Sequence, residues 1–585
     1  MTTAPQALAQ VRSRLRAGQL GEARAPLQEL VTRHGGRPEV IALLARYDRL
    51  RGAPRDAATR LAMALRLHPR SGELWLETGL AEMALGRPDA AAEAMARAVA
   101  LEHGIDPADI APAFGILASQ RMAQRRWADA GALLERSTQL EPGNASVWNM
   151  RAIQRANLGD LAEAERSAVQ AQSLDPADTH PSSNRCLFSL YRDDLAPPEV
   201  LGIHRDWALR HGARVQPLPP PEAPRQPGRL RIGYVSNDFA THSVATFLEP
   251  VLAHHDRARV EVFCYASVPR PDEVTRRLQA SAEHWRDVLP LSDEQAARQI
   301  RADGIDLLID LGGHTSHARL GIFQHRPARR AATWLGYPAT TGLTAIDWRL
   351  GDTTADLPGA EAWHAEGLLR LPRTFFTYPG LADAPEPPPE PPALRQGHVT
   401  FGVPTNLSKL RPATVRCWAE LLARVPGSRL AIQAPGADAP QARAWIAAAV
   451  AEAGADPARL DFQAQQPFAD YLRAHADWDV VLDTWPFNGH TTTCHALWMG
   501  TPVLTLAGTM HAGRMGASVL NALDLGELAA DSPAQFVDIA AGLVQDLDRL
   551  RALRATLRER MRASPMMDAA QFTAGLEAAF EQAAA

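Results

Sequence analysis

The sequence predicts an α-helical repeat array followed by an α/β region of two doubly wound lobes. Three observations predict it. Leu-x-Pro triplets end helical patterns in the first third of the chain, the last two of them 34 residues apart; short apolar strands alternate with helical patterns in the remainder; and a Pro-rich break restarts that alternation. At 585 residues the chain is long enough for two to four domains with substantial cores.

Composition excludes several classes of function. Lys and Arg number 61 against 66 Asp and Glu, a net charge of −5, too balanced for a chain devoted to nucleic acid or to anionic lipid. The expectation is therefore no nucleic-acid partner and no membrane partner. Cys186, Cys264, Cys417 and Cys494 are scattered and form no C-x-x-C pair, so neither a zinc module nor a disulfide framework is expected, and a reducing, cytoplasmic location is. The first residues lack an apolar secretory core, and no stretch approaches the roughly 18 consecutive apolar residues of a membrane span.

Taking the elements in order, the triplets are Leu67-His-Pro69, Leu140-Glu-Pro142 and Leu174-Asp-Pro176. Their spacing is that of tetratricopeptide repeats. In that register Trp75, Phe114 and Trp148 take the first large apolar position, and Gly79, Ala118 and Ala152 the point where two helices touch. Ala57, Ala91, Ala130 and Ala164 occupy the matching small position of the second helix. Five repeats are expected over residues 1–178, with a lengthened loop around His103 to Pro112. Such a stack forms a solenoid whose concave face suits an extended peptide or a protein partner. A helical linker is expected over 179–228, with the Pro-rich stretch Val215 to Gly228 at its edge.

The first lobe, 229–383, opens with the strand Leu230 to Ser236, and further strands are expected at Val260 to Tyr265, Ile305 to Leu311 and Ala331 to Leu335. A Pro-rich linker, 384–395, precedes the second lobe with its terminal helices, 396–585. There the strands expected are Val399 to Val403, Arg429 to Gln433, Leu460 to Gln463, Val480 to Asp483 and Val503 to Thr505. Ligands of open α/β sheets bind at the carboxyl ends of the strands, so two facing lobes place a cleft between two such edges.

The segment Asp483 to Thr505 is the most informative. A strand ends, a Gly-containing turn follows, and Thr491 and Thr492 stand at the start of a helix whose free N–H groups and dipole suit a phosphate or diphosphate. Its Asn488-Gly-His-Thr-Thr492 block, followed by Ala496-Leu-Trp-Met-Gly-Thr-Pro502, resembles the nucleotide-sugar site of the O-GlcNAc transferase and SPINDLY-type family of glycosyltransferases. Gly233-Tyr-Val-Ser-Asn-Asp-Phe239 with His242, Asp310-Leu-Gly-Gly-His-Thr315, Trp334-Leu-Gly-Tyr-Pro338 and Asn406-Leu-Ser-Lys409 resemble that family's other motifs in the same order.

The resemblance covers essentially the whole chain and implies much. It implies a tetratricopeptide-repeat solenoid followed by a GT-B catalytic region of two Rossmann-like lobes. The implied activity is inverting, metal-independent transfer of a GlcNAc-like sugar to Ser or Thr of a protein held by the repeats. The donor is a nucleotide-sugar, a UDP-sugar first, with no other cofactor, and flagellin is a candidate acceptor. By resemblance Lys409 neutralises the leaving diphosphate and His242 is the base or orients the acceptor. His490, Thr491 and Thr492 hold the diphosphate; Thr315, Gly336 and Pro338 border the donor sugar; Asn406 and Tyr471 lie near the nucleotide; no metal ligand is implied.

Departures bear on the donor. His495 stands where O-GlcNAc transferases carry an Asp on the ribose hydroxyls, and one imidazole nitrogen cannot grip a diol as a carboxylate does. Pro404, Thr405 and Phe468 also differ from the family pattern, which keeps CMP- and GDP-linked sugars open. Asp477-Trp-Asp479 has the form of a metal-binding D-x-D motif but sits at the entry of a strand, away from the ligand-binding edge. The competing class is a non-catalytic repeat scaffold with a degenerate cleft.

Overall fold

The computed structural model describes residues 4–220 and 228–585, so the heart of the Pro-rich edge, 221–227, lies outside the described residues. The chain divides into two compact units, Met1–Gln154 and Arg155–Ala585.

The first unit is helical throughout. Paired helices follow one another at Ala4–Arg16 and Leu20–His34, Pro38–Leu50 and Pro54–Leu67, Gly72–Ala84 and Pro88–Ala100, then Pro107–Ala123 and Trp127–Leu140. A fifth pair, Ala145–Asn157 and Leu161–Leu174, crosses the boundary between the units. The small positions behave as the repeat register requires: Ala57, Ala91, Ala118, Ala130 and Ala152 are fully buried. Trp75 and Trp148 differ from expectation in being only half-buried. Each indole N–H instead donates to the carbonyl of the preceding Leu-x-Pro proline, Pro69 or Pro142, at 2.9 Å. The triplet therefore serves as a cap for the next helix as well as an end for the last. The extra residues expected as a loop at 103–112 are mostly helical, because Asp106 caps the helix at Ala108 N and Pro107 suits its first position.

Charge ties the first helices of four successive pairs together. Arg46 binds Glu77 at 2.6 Å and Asp109 at 2.9 Å, and Arg16 binds Asp109 at 2.7 Å. The acceptors are buried, and the arginines hold the Asp109 carboxyl below its usual range.

The second unit contains the helices His180–Ser189 and Pro197–Gly212 and two parallel sheets. The first sheet comprises β1 (Leu230–Ser236), β2 (Val260–Ala266), β3 (His284–Asp287), β4 (Leu307–Asp310), β5 (Arg330–Thr333), β6 (Trp348–Asp352) and β7 (Gly367–Leu371). Its spatial order is β3-β2-β1-β4-β5-β6-β7. The second comprises β8 (Thr400–Pro404), β9 (Arg429–Gln433), β10 (Leu460–Gln463), β11 (Val480–Leu482), β12 (Val503–Leu506) and β13 (Ala529–Ala530), in the order β10-β9-β8-β11-β12-β13. Both orders reverse at one point, between β1 and β4 and between β8 and β11, where a doubly wound sheet opens a crevice.

The central strands are largely buried because helices cover both faces; β4 and β8 are buried at every residue. Strands β3, β6, β7 and β13 were not expected, since His284-Trp-Arg-Asp287 and Trp348-Arg-Leu-Gly-Asp352 carry charges within the run. Arg349 tolerates burial in β6 by donating to the carbonyls of Tyr337 and Ala339 at 2.9 and 2.8 Å. The terminal helices return across both lobes. In the helix Leu547–Ala563, Arg554 donates to the carbonyls of Trp478 and Asp479 in the second lobe. The last helix, Ala569–Ala584, places Leu576, Phe580 and Ala583 in the core of the first.

Candidate active site

The site residues named from the sequence lie at the carboxyl edges of the two sheets, or on the elements that follow them. Thr315 follows β4, Gly336 and Pro338 follow β5, and His242 precedes the helix after β1. Asn406 and Lys409 follow β8, His490, Thr491, Thr492 and His495 follow β11, and Tyr471 lies in the helix Phe468–Ala474 after β10.

Two aspartates shape these edges in the same way. Asp310 ends β4; its carboxylate accepts from the N–H groups of Gly312 and Gly313 and from the Thr333 hydroxyl of neighbouring β5 at 2.8 Å. Asp483 follows β11 and accepts from the N–H groups of Thr484 and Gly489 at 2.8 and 2.6 Å and from the Thr505 hydroxyl of β12 at 2.9 Å. In each lobe a buried carboxylate thus folds the glycine loop over the switch point. The sequence reading assigned neither a role, although a strand-ending Asp ahead of a glycine was visible in both. Burial raises both carboxyls, Asp483 to about 6.

Close packing fixes the first-lobe loops. A Cβ on Gly336 would lie 1.8 Å from the Leu311 carbonyl oxygen, and Gly313, at φ +56°, would press one to within 2.3 Å of Tyr337. The Thr315 hydroxyl donates to Gly312 O at 2.8 Å and Pro338 is buried.

Lys409 comes from the turn Leu407–Lys409. Its Nζ donates to Asn488 O at 3.1 Å and stands 4.4 Å from the centre of the Phe487 ring. Burial lowers its ammonium pKa to about 8, against the pull of Asp483. Beside it the helix Thr491–Trp498 starts without a side-chain cap. Its first-turn N–H groups are therefore left without a side-chain partner, just beyond in sequence from the Asn488 carbonyl that the lysine holds. His490, the cap position, is stacked on Phe247 at 4.4 Å and 9° and packed edge-on by Phe376 at 4.3 Å. Its Nε2 is buried with no partner, and burial with the neighbouring His511 and Lys409 depresses its pKa to about 3. A neutral imidazole with one unsatisfied nitrogen is thereby presented at the helix start.

Aromatic groups gather farther along. Tyr471 stacks with Phe468 at 6.0 Å, and both rings approach His495, at 5.8 and 5.4 Å. The Tyr471 hydroxyl and His495 Nδ1 are buried without partners, while Phe468 is 54% exposed. Asn406 is exposed at the lip. His242 caps the helix Ser243–His254, its Nδ1 accepting from Val244 N–H at 3.3 Å with Asp238 Oδ2 3.6 Å away.

The D-x-D pair is committed elsewhere. Asp479 accepts from Ala393 and Thr400 N–H groups at 3.0 and 2.8 Å, and Asp477 pairs with Arg395 at 2.7 Å. Both sit at the entry of β11, where they fasten the Pro-rich linker.

Two doubly wound parallel sheets, with a lysine and an uncapped helix start on the ligand edge of the second, define a two-lobed open α/β architecture with an edge suited to an anionic ligand. The chain belongs to glycosyl transferase family 41, whose model matches residues 216–379 and 393–576. It is similar to the probable UDP-N-acetylglucosamine–peptide N-acetylglucosaminyltransferase SPINDLY of Hordeum vulgare, 37% identical over 413 residues that are 70% of this chain and 44% of that protein. It is also similar to the corresponding SEC protein of Arabidopsis thaliana, 33% identical over 362 residues, 60% of this chain and 37% of that one. The chain thus spans less than half the length of these curated relatives. Among solved structures it resembles a mutant of the Thermobaculum terrenum O-GlcNAc transferase, with TM-score 0.74 and 32% identity over 93% of this chain and 97% of that one. Among the described residues, no helix is long and apolar enough to cross a membrane.

Proposed function

We propose that the protein is an inverting O-glycosyltransferase that moves a sugar from a nucleotide diphosphate to a Ser or Thr hydroxyl of a protein. The observation that carries this is the pairing of Lys409 with the uncapped start of the helix Thr491–Trp498. The acceptor oxygen attacks the anomeric carbon from the face opposite the diphosphate and loses its hydroxyl proton to solvent, the bond from that carbon to the diphosphate oxygen breaks, and negative charge grows on the leaving group. Lys409 and the helix-start N–H groups stabilise that charge where other transferases use a metal ion. His490, Thr491 and Thr492 hold the diphosphate, and Tyr471, Phe468 and His495 receive the nucleoside. His242, at the start of the helix after β1, orients the acceptor hydroxyl.

The names of the relatives support a UDP-sugar as the first donor to try, and the repeats support a polypeptide acceptor, flagellin among the candidates. The test is transfer of labelled sugar from UDP-, GDP- and CMP-linked donors to protein, with Lys409→Ala beside the wild type. Transfer from one donor class, abolished in the folded variant, is the expected result. Absence of transfer, or transfer unchanged by the variant, overturns the reading.

A further inference from the structure

Beneath the Gly312-Gly-His-Thr315 loop three metal-ligating side chains meet. Cys186 from the helix His180–Ser189, His204 from Pro197–Gly212 and His314 from the loop bring Sγ and two ring nitrogens to within 4.8 Å of one another. All three are buried. Sequence reasoning missed them because they lie far apart along the chain and form no recognisable spacing.

The hydrogen bonds around the cluster aim it. His204 Nδ1 lies 2.7 Å from Val200 O and His314 Nε2 lies 2.8 Å from Thr341 O, and a carbonyl can only accept, so both of those nitrogens carry the protons. The lone pairs then belong to His204 Nε2 and His314 Nδ1, the nitrogens on the opposite side of each ring. A backbone carbonyl holding the outer N–H of a histidine is the usual support of a metal-bound imidazole. Hydrogen bonding alone leaves the set incomplete: His314 Nδ1 is buried with no partner, and the Cys186 thiol reaches only Ile203 O, at 3.8 Å. The Tyr337 hydroxyl donates to His204 Nε2 at 2.6 Å, so an ion binding that lone pair would displace it toward a fourth position.

Charge fits as well. Glu366, buried, accepts from Thr340 Oγ1 at 2.6 Å and Thr341 N–H at 2.7 Å, and its field reaches His204 and Tyr337. A divalent ion, one thiolate and that carboxylate sum to zero. Sulfur with two imidazoles favours zinc over magnesium or calcium.

We propose that Cys186, His204 and His314 form a structural zinc site that pins the two linker helices to the loop after β4. Zinc bond lengths of about 2.0–2.3 Å require the ligand atoms to close to roughly 3.5 Å of one another, a shift of about an ångström. Binding releases the thiol proton to solvent and makes the Zn–S bond without any redox step.

The test uses the full chain. Elemental analysis of protein purified without added metal is expected to give about one zinc per chain, falling at least about tenfold in Cys186→Ser and His314→Ala. Chelated wild-type protein reloaded with Co²⁺ is expected to show tetrahedral ligand-field bands and a thiolate-to-cobalt charge-transfer band, which decides the matter even if the variants do not fold. A wild-type chain that carries no zinc and gives no charge-transfer band with cobalt overturns the proposal. So does zinc that remains at full stoichiometry in both variants.

Discussion

If Lys409 supplies the cation for the leaving diphosphate, activity must follow its protonation. Burial sets its pKa near 8, so about nine-tenths of the free enzyme carries the charge at pH 7 and about one-tenth at pH 9. A lowered ammonium pKa means the charged form is lost as pH rises through that value. The expected consequence is a roughly tenfold fall in kcat/KM between pH 7 and pH 9, because kcat/KM reports the free enzyme. On the acid side, protonation of Asp483 near pH 6 removes the lysine's counter-charge and weakens its grip on the Gly489 N–H, giving a second limb. The assay is initial-rate transfer of labelled sugar across pH 5.5–9.5 at subsaturating donor. Lys409→Arg is the control, since a guanidinium stays charged throughout. Calorimetric binding of the nucleoside diphosphate should weaken over the same alkaline interval in the wild type. A flat profile from pH 7 to pH 9, or an alkaline limb that persists in the active Lys409→Arg enzyme, refutes the assignment.

Phe468→Ala should weaken nucleotide binding by about 1–3 kcal/mol in calorimetry, the worth of a base on an aromatic face, with little change in Tm because the ring is 54% exposed. Gly336→Ala should lower stability by about 1–3 kcal/mol or more in urea unfolding, since its Cβ would meet the Leu311 carbonyl 1.8 Å away and backbone must move. Arg46→Met should cost about 3–5 kcal/mol in the same assay, because Glu77 and Asp109 keep their burial and lose a partner at 2.6 and 2.9 Å.

The sequence was legible where one local rule governed. Helix pairs declared themselves through Leu-x-Pro spacing and small residues, and β1, β2 and β8 through short runs rich in β-branched and aromatic residues. It was illegible where distant residues cancel a local penalty. Strand β6 buries Arg349 only because the carbonyls of Tyr337 and Ala339 await it. The motif residues could be assigned to the ligand edge, but their electrostatics could not. That Lys409 is shifted toward neutrality, or that His490 is wedged between Phe247 and Phe376, depends on chain segments more than 70 residues away. His511 and its partner Asp356, 155 positions apart, carried no local signal at all.

That pair bears on how the site works. His511 Nδ1 lies 2.9 Å from Asp356 Oδ2, with both side chains buried, and Phe375 packs against His511 at 4.6 Å and against His490 at 5.0 Å. Nearby the Ser518 hydroxyl donates to Asp352 Oδ2 at 2.5 Å and Arg514 to Thr354 O at 2.7 Å. The three polar contacts join the segment from β6 to β7 in the first lobe to the region after β12 in the second. Parting the lobes on this side would strand several buried polar groups, at about 1–3 kcal/mol each. The helix start and His490 are consequently held against Phe247 and Phe375 before any donor arrives. Dipoles fixed in advance need no reorganisation when the diphosphate gains charge in the proposed transfer.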